Sequence, residues 1–281
     1  MVIEKRTGEG KVVLIAGGGK IYTDIAARFV RSERSLEDIV ASPYSKAIVD
    51  NILDCGHKAA LEFDFFLFGV EGYSRVTETQ LVRKRLASYL IKSGRAELTG
   101  KRQFSLVYPE KINTVAVSVP VPISLLTTRD GTPLPDNGKE GDMLSLRVNA
   151  GLLATLTEQW YDKGMKMGLP EEDLRYMKPQ ATEFKAIIGM NAHALLDWFA
   201  IRCCKNAQHE IRDLAAKMLT LCRKAAPDLF RDAGASCVQL GYCPENKARN
   251  PRCAHIPTKR EALQILAEHG KAREEYNKGQ D

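Results

Sequence analysis

Arg83, Lys84, Arg85, Lys92 and Arg95 place five cations within thirteen residues, and no acid stands between the first and the last. Guanidinium groups grip phosphate through paired, charge-assisted hydrogen bonds. Ser93-Gly94, directly before Arg95, adds a hydroxyl and a backbone that a ligand can approach closely. The stretch therefore suits the phosphate of a nucleotide, although on its charge alone a solvated basic helix face is the favoured reading. A second phosphate candidate is Gly17-Gly18-Gly19-Lys20, between an apolar run and a helix beginning near Thr23. Its spacing does not complete a Walker A pattern and Ile21 follows Lys20, so an ordinary tight turn is expected there.

Cys237, Cys243, Cys253 and His255 form Cys-x5-Cys-x9-Cys-x-His. Number and type of ligand would suit a structural zinc, whereas the spacing lacks the short Cys-x2–4-Cys knuckle. The expectation is no metal and reduced thiols in an extension packed on the domain. Cys203-Cys204 diverge if helical, so at most one faces any site, and a small buried hydrophobe is the expected role. His209 is read as packing and His269 is assigned nothing.

The elements that must position these groups follow from periodicity. Residues 11–17 read as a buried strand, Ser45–Cys55 as a helix and Leu61–Val70 as a strand. Ser74–Leu90 reads as a helix with a stripe of Val76, Leu81, Val82, Leu86 and Tyr89. Phe104–Tyr108 and Thr114–Val121 read as strands. Residues 127–142 are a polar, Gly/Pro-rich loop. Leu144–Met167, Ala181–Cys203 and Ala207–Ala225 read as helices, with a short acidic-started helix at Glu171. A charged helix or tail closes the chain at 261–281. The expected fold class is α/β (α+β), a central mixed sheet with helices and a helix-rich second half. The expected domain is 1–260, with 127–142 as an inserted loop and 233–260 as a Cys-containing extension.

Arg83-Lys84-Arg85, seven residues and then Ser93 resembles the Arg-His-Arg…Ser signature of flavin-dependent thymidylate synthases, the ThyX type, with Lys84 for His. Other blocks resemble that family in the same order. They are Gly56-His57 with Leu61-Glu62, Gly69 to Arg75, Asp173 to Pro179, Met190 to Leu195, Ile201-Arg202 and Ala207 to Arg212. Together they span residues 56 to 212.

The resemblance implies a homotetramer with active sites at subunit interfaces. It also implies FAD beside a uracil nucleotide, with NADPH and methylenetetrahydrofolate as co-substrates, and conversion of dUMP (or a relative such as UMP) to its C5-methylated product. It places Gln80, Arg83, Ser93, Gly94, Arg95, Arg175 and Arg202 on the nucleotide. Read alone, Arg175 and Arg202 would be structural ion-pair partners. The implied catalytic residues are Arg202 and Ser93. Ser93 is read as a nucleotide-binding hydroxyl, since no neighbour marks a general base for it. On the flavin side stand His57, Glu62, Arg83, Lys84, Arg85, Asn191, His193 and Asp197.

Five positions depart from the family pattern. Lys84 stands for His, Leu90 and Ile91 for Asn and Glu, His193 for Arg and Asp197 for Asn. Each lost hydrogen bond costs about 1 kcal/mol, more where a buried partner is left unpaired. Lys84 or a protonated His193 is the available partner for the new charge of Asp197. The alternative expectation is a paralogue that binds a nucleotide without the flavin chemistry.

The chain of 281 residues is 44% hydrophobic and 27% charged, which excludes a disordered or fibrous class. No apolar run reaches membrane-spanning length and the first residues lack a signal-peptide h-region, so a membrane partner is not expected. Seven cysteines without a leader point to a reducing cytoplasm. The net charge of +6 allows a nucleic-acid binder as a lesser alternative, but no RRM, KH or zinc-finger signature supports it.

Overall fold

Period-two apolar runs become strands where a second run pairs with them, and helices begin where a side chain caps them. The computed structural model describes residues 3–19, 21–92, 105–128, 130–134, 143–245 and 250–278; its strands pair in this way, and the side chains of Ser35, Asn149, Asn191 and Gln208 cap the helices that follow them. Its strands are β1 (Ile3–Arg6), β2 (Lys11–Ala16), β3 (Phe65–Ser74), β4 (Ser88–Ile91), β5 (Ser105–Tyr108), β6 (Ala116–Pro122), β7 (Met143–Asn149) and β8 (Glu183–Asn191). Its helices are α1 (Thr23–Phe29), α2 (Leu36–Ala41), α3 (Lys46–Asp54), α4 (Arg75–Leu81), α5 (Glu110–Thr114), α6 (Ala150–Lys166), α7 (Glu171–Leu174), α8 (Ala192–Arg202), α9 (His209–Ala225), α10 (Ser236–Leu240) and α11 (Lys259–Lys278). Short 3-10 turns occupy Lys58–Phe63 and Pro251–Cys253, among others. The class is the expected mixture of helix and sheet, helix-rich after residue 150. Among the described residues no helix is long and apolar enough to cross a membrane.

The chain divides into two compact units. One comprises residues up to Glu9, 74–76 and 92–183. In it β1 pairs parallel with β5, and β6 and β7 form an antiparallel ladder from Ala116↔Asn149 to Pro122↔Met143. A helix over Leu144–Met167 is corrected here: residues 143–149 are strand. Leu144, Leu146 and Val148 alternate and pair with Val121, Val119 and Val117. Asn149 then caps α6, its Oδ1 accepting from the Leu152 N–H at 2.8 Å. The expected 127–142 loop joins β6 to β7, and residues 129 and 135–142 of it lie outside the described residues.

The other unit carries the sheet β2-β3-β8-β4. Phe66, Phe68, Val70, Phe184, Ala186, Ile188 and Met190 point to one face and are buried under α3, α8 and α9. Phe230 closes that core edge-on against Phe66 (5.2 Å) and Phe199 (6.1 Å). The opposite face is open. Val13, Ile15, Phe65, Ile187 and Leu90 stand exposed on it, so β2 is not the buried strand expected from its composition.

Two further expectations are corrected in this unit. Residues 183–191 are strand, not the first half of a helix over Ala181–Cys203. Phe184, Ala186, Ile188 and Met190 keep a period of two, and Ile187 on the outer face disguises it. Helix α4 ends at Leu81 instead of running to Leu90, because Ser88–Ile91 pairs with β8. The Tyr89 hydroxyl donates to the carbonyls of Leu81 (2.9 Å) and Lys84 (3.1 Å), satisfying backbone groups that the helix end leaves open.

The glycine turn before α1 is a packing turn, not a phosphate cradle. A Cβ on Gly18 would lie 2.6 Å from the Ala225 carbonyl oxygen. The α1 entry is served by Asp64, whose carboxylate accepts from the N–H groups of Tyr22 and Thr23 at 2.9 Å. Lys20 lies outside the described residues.

Candidate functional site

Helix α8 organises the site. Asn191 caps it, Oδ1 accepting from the Ala194 N–H at 2.8 Å, a bond that does not use the amide NH2. Ala194, Leu195, Trp198 and Phe199 fill the core. His193 and Asp197 share the outer side one turn apart, and Arg202 ends the helix.

Around His193 and Asp197 the fold gathers a charge cluster. Lys58 donates to Asp197 at 2.8 Å, and Lys84 Nζ lies 3.5 Å from the same carboxylate. The His193 ring sits between Asp197 (Nε2, 3.5 Å) and Glu62 (Nδ1, 3.1 Å). Burial pushes the Asp197 carboxyl up. The Lys58 hydrogen bond and the charges of Lys58, Lys84 and His193 outweigh it and hold the carboxyl below its ordinary range. The negative charge where the family pattern has an amide is thus compensated by the two partners expected from sequence and by Lys58.

A second cluster lies at the end of α8. Arg202 donates to the Gln80 carbonyl at 3.0 Å and reaches the Gln80 side-chain oxygen at 3.5 Å. Burial first, then the positive charge of Arg83, lower the Arg202 guanidinium from its usual range, while Tyr89 acts the other way. Burial pushes the Tyr89 phenol up to about 12, partly offset by Arg202. Among the described residues no carboxylate pairs with Arg83 or with Arg202. Two like-charged guanidiniums without a carboxylate are a site that an anion completes.

The expected site residues are therefore placed as follows. Gln80 and Arg202 come together, with Arg83 near enough for its charge to act on Arg202, as do Glu62, Lys84, His193 and Asp197. His57 is exposed at the start of the Lys58–Phe63 turn, and Arg85 is exposed beyond α4. Arg175 belongs to the other compact unit, exposed at the end of α7. Ser93, Gly94 and Arg95 lie outside the described residues. Leu90 and Ile91 point to opposite faces of β4. Leu90 stands 74% exposed on the open face and Ile91 packs toward the core, so the two cannot serve one ligand together on this chain.

Sequence reasoning missed Lys58 and Tyr89. Lys58 directly follows the Gly56-His57 block, and its value depends on Asp197, 139 positions away. Tyr89 was hidden as one more apolar position in a supposed helix.

Residues 19–228 match the family model described as thymidylate synthase complementing protein, Thy1. A flavin-dependent thymidylate synthase of Geobacter sulfurreducens is 33% identical over 235 residues, covering 84% of this chain and 86% of that protein. One from Pyrococcus abyssi is 32% identical over 212 residues, covering 74% and 76%. Among solved structures, a UMP/dUMP methylase, PolB, from Streptomyces cacaoi bound with 5-Br dUMP superposes with a TM-score of 0.58. It is 18% identical and covers 82% of this chain and 96% of that one, a likeness of fold.

Proposed function

The chain belongs to the Thy1 family of thymidylate synthase complementing proteins, and from that membership we propose that it is a flavin-dependent thymidylate synthase that methylates C5 of dUMP reductively. The observation that carries this reading is Arg202 at the end of α8, with Arg83 near enough for its charge to act on it and no carboxylate pairing with either among the described residues. Such a pair suits a nucleotide monophosphate or the carbonyls of a uracil ring. Negative charge develops on those carbonyls as C5 becomes nucleophilic, and fixed cations stabilise it. Gln80 holds Arg202 in place through its backbone carbonyl. Ser93, Gly94, Arg95 and Arg175 are proposed to complete the nucleotide site, with Arg202 and Ser93 nearest the chemistry.

The donor set beside α8 fits FAD. Arg83 and Arg85 have no carboxylate partner among the described residues, Asn191 keeps its NH2, and Asp197 is neutralised by its neighbours. His57, Glu62, Arg83, Lys84, Arg85, Asn191, His193 and Asp197 are the proposed holders of the cofactor. When bound, FAD supplies the redox chemistry of the methylation, with NADPH and methylenetetrahydrofolate as co-substrates.

A homotetramer with sites shared between subunits is proposed on the exposed apolar surface of each unit. One unit bares Val13, Ile15, Phe65, Ile187 and Leu90, and the other bares Leu153, Leu156 and Trp160 of α6. A cytoplasmic location is proposed on the seven free cysteines.

The test is the visible spectrum of the purified chain with and without dUMP, followed by tritium release from [5-3H]dUMP. Retained oxidised flavin, with release that requires NADPH and methylenetetrahydrofolate, is the expected result. A colourless chain that takes up no FAD in the presence of dUMP overturns the reading and leaves the paralogue without flavin chemistry.

A further inference from the structure

A cavity of about 450 Å³ lies away from the cluster on α8, between the residues that follow this helix, α10 and the segment leading to α11. Besides Cys203, four thiols line it: Cys204, Cys237, Cys243 and Cys253. They come from separate stretches of chain. Cys204 follows α8, Cys237 lies in α10, Cys243 sits where the chain bridges Thr258, and Cys253 ends a 3-10 turn. Their separate origins argue against chance crowding of neighbours in sequence.

The two sides of the cavity are tied together. Lys205 Nζ donates to the Arg252 carbonyl at 3.2 Å, and Asn206 Nδ2 donates to Glu245 at 2.5 Å. Ser236 donates to the Ala200 carbonyl at 3.0 Å, fixing α10 against α8. The Asn206 N–H points at Cys204 Sγ at 3.5 Å. Backbone N–H groups directed at cysteine sulfur stabilise the thiolate form and tune metal–sulfur centres. The adjacent Cys203 also borders the cavity but packs on the core.

We propose that Cys204, Cys237, Cys243 and Cys253 form a four-thiolate site for a thiophilic metal centre, either an iron–sulfur cluster or a single zinc ion. His255, the fourth ligand that the sequence pattern offered, also borders the cavity but is exposed, and Cys204 takes that place. Among the described residues no group of three or more His, Cys, Asp or Glu is set to hold one ion as it stands. The thiols surround the space instead of meeting within it. Zinc would draw all four sulfurs to ~2.3 Å from one centre. A cluster takes its thiolates on separate iron atoms and accepts ligands spread round a cavity. Binding of either releases the thiol protons, so affinity falls as pH falls. The site would pin the C-terminal segment to the end of α8, the helix that carries Arg202.

The test is metal and sulfide analysis of the full-length chain purified without oxygen, then of reduced chain reconstituted with zinc alone or with iron and sulfide and desalted. One centre per chain is expected. Zinc without colour, or iron with sulfide and a broad visible absorption, identifies which. Cys204→Ser, Cys243→Ser and Cys253→Ser are expected to lose it, while His255→Ala and Cys55→Ser keep it. For any variant that does not fold, the wild-type chain supplies a second readout. With metal bound, the four cysteines resist alkylation that modifies exposed Cys55, and a chelator removes the protection. No retained metal together with alkylation of all four at the Cys55 rate overturns the proposal. Loss of metal in His255→Ala with retention in Cys204→Ser overturns the assignment of the fourth ligand.

Discussion

Truncating Arg202 to alanine separates its two possible roles, because the structure assigns them different sizes. On the structural side Arg202 makes one good hydrogen bond, to the Gln80 carbonyl at 3.0 Å, and one long one at 3.5 Å. Water screens a half-exposed contact of this kind, and loss of the Arg83 repulsion works in the opposite direction. The net loss of folding stability is therefore expected to stay below about 1 kcal/mol. For a chain of this size that is a fall in Tm of about 2–4 °C. On the binding side the truncation removes a guanidinium from the nucleotide. A charge-assisted contact of that type contributes ~2–3 kcal/mol. The Kd for dUMP should rise by about 30- to 140-fold. Calorimetric titration with dUMP and a thermal melt of the same preparations measure both quantities. Arg202→Lys keeps the charge and loses the fork, and should fall between wild type and alanine in affinity. A variant that melts many degrees lower yet binds dUMP unchanged would show that Arg202 serves Gln80 alone, and the anion-site argument would fail.

Tyr89→Phe removes the donor to the Leu81 and Lys84 carbonyls. It should lower stability by about 1 kcal/mol and raise the Kd for dUMP by loosening the turn that carries Arg83, and unchanged values for both would refute the staple. Asp197 titrates below its ordinary 3.8 when folded. Its contribution to stability is therefore complete above that value and disappears as pH falls through the lower, folded one. Asp197→Asn should be less stable at neutral pH and lose less stability on acidification in urea melts, whereas an acid limb identical to wild type contradicts the ion cluster. Gly10→Ala would place a Cβ 2.4 Å from the Tyr73 ring, whose hydroxyl is held by Asp213 at 2.9 Å. A loss of about 1–3 kcal/mol is expected in chemical denaturation, and an unchanged midpoint would mean that the ring swings aside freely.

Legibility in the sequence varied with how local the deciding interaction was. Helices α3 and α9 were read correctly because one face of each is apolar at helical spacing. Strand β8 and the first six residues of the supposed helix at residue 144 were misread, although Phe184, Ala186, Ile188 and Met190 alternate. Their partners β4 and β6 lie far away in the chain, and short apolar runs satisfy both periods until a partner is known. Asn149 and Asn191 are caps that mark the true helix starts, and either one would have corrected the boundary.

By itself the sequence determined the family and named the candidate anion-binding groups. Ordered blocks from Gly56 to Arg212 carry the family's pattern of side chains, and an unneutralised run of cations states its chemistry without any fold. The sequence also named Lys84 and His193 as partners for Asp197. Only the tertiary structure decided that Lys58 joins them, that Tyr89 closes the turn bearing Arg83, and that Cys204 shares a cavity with thiols from three later stretches of chain. The first and last depend on distances between residues far apart in sequence and the second on the pairing of β4 with β8, and all are set by which face each strand and helix buries.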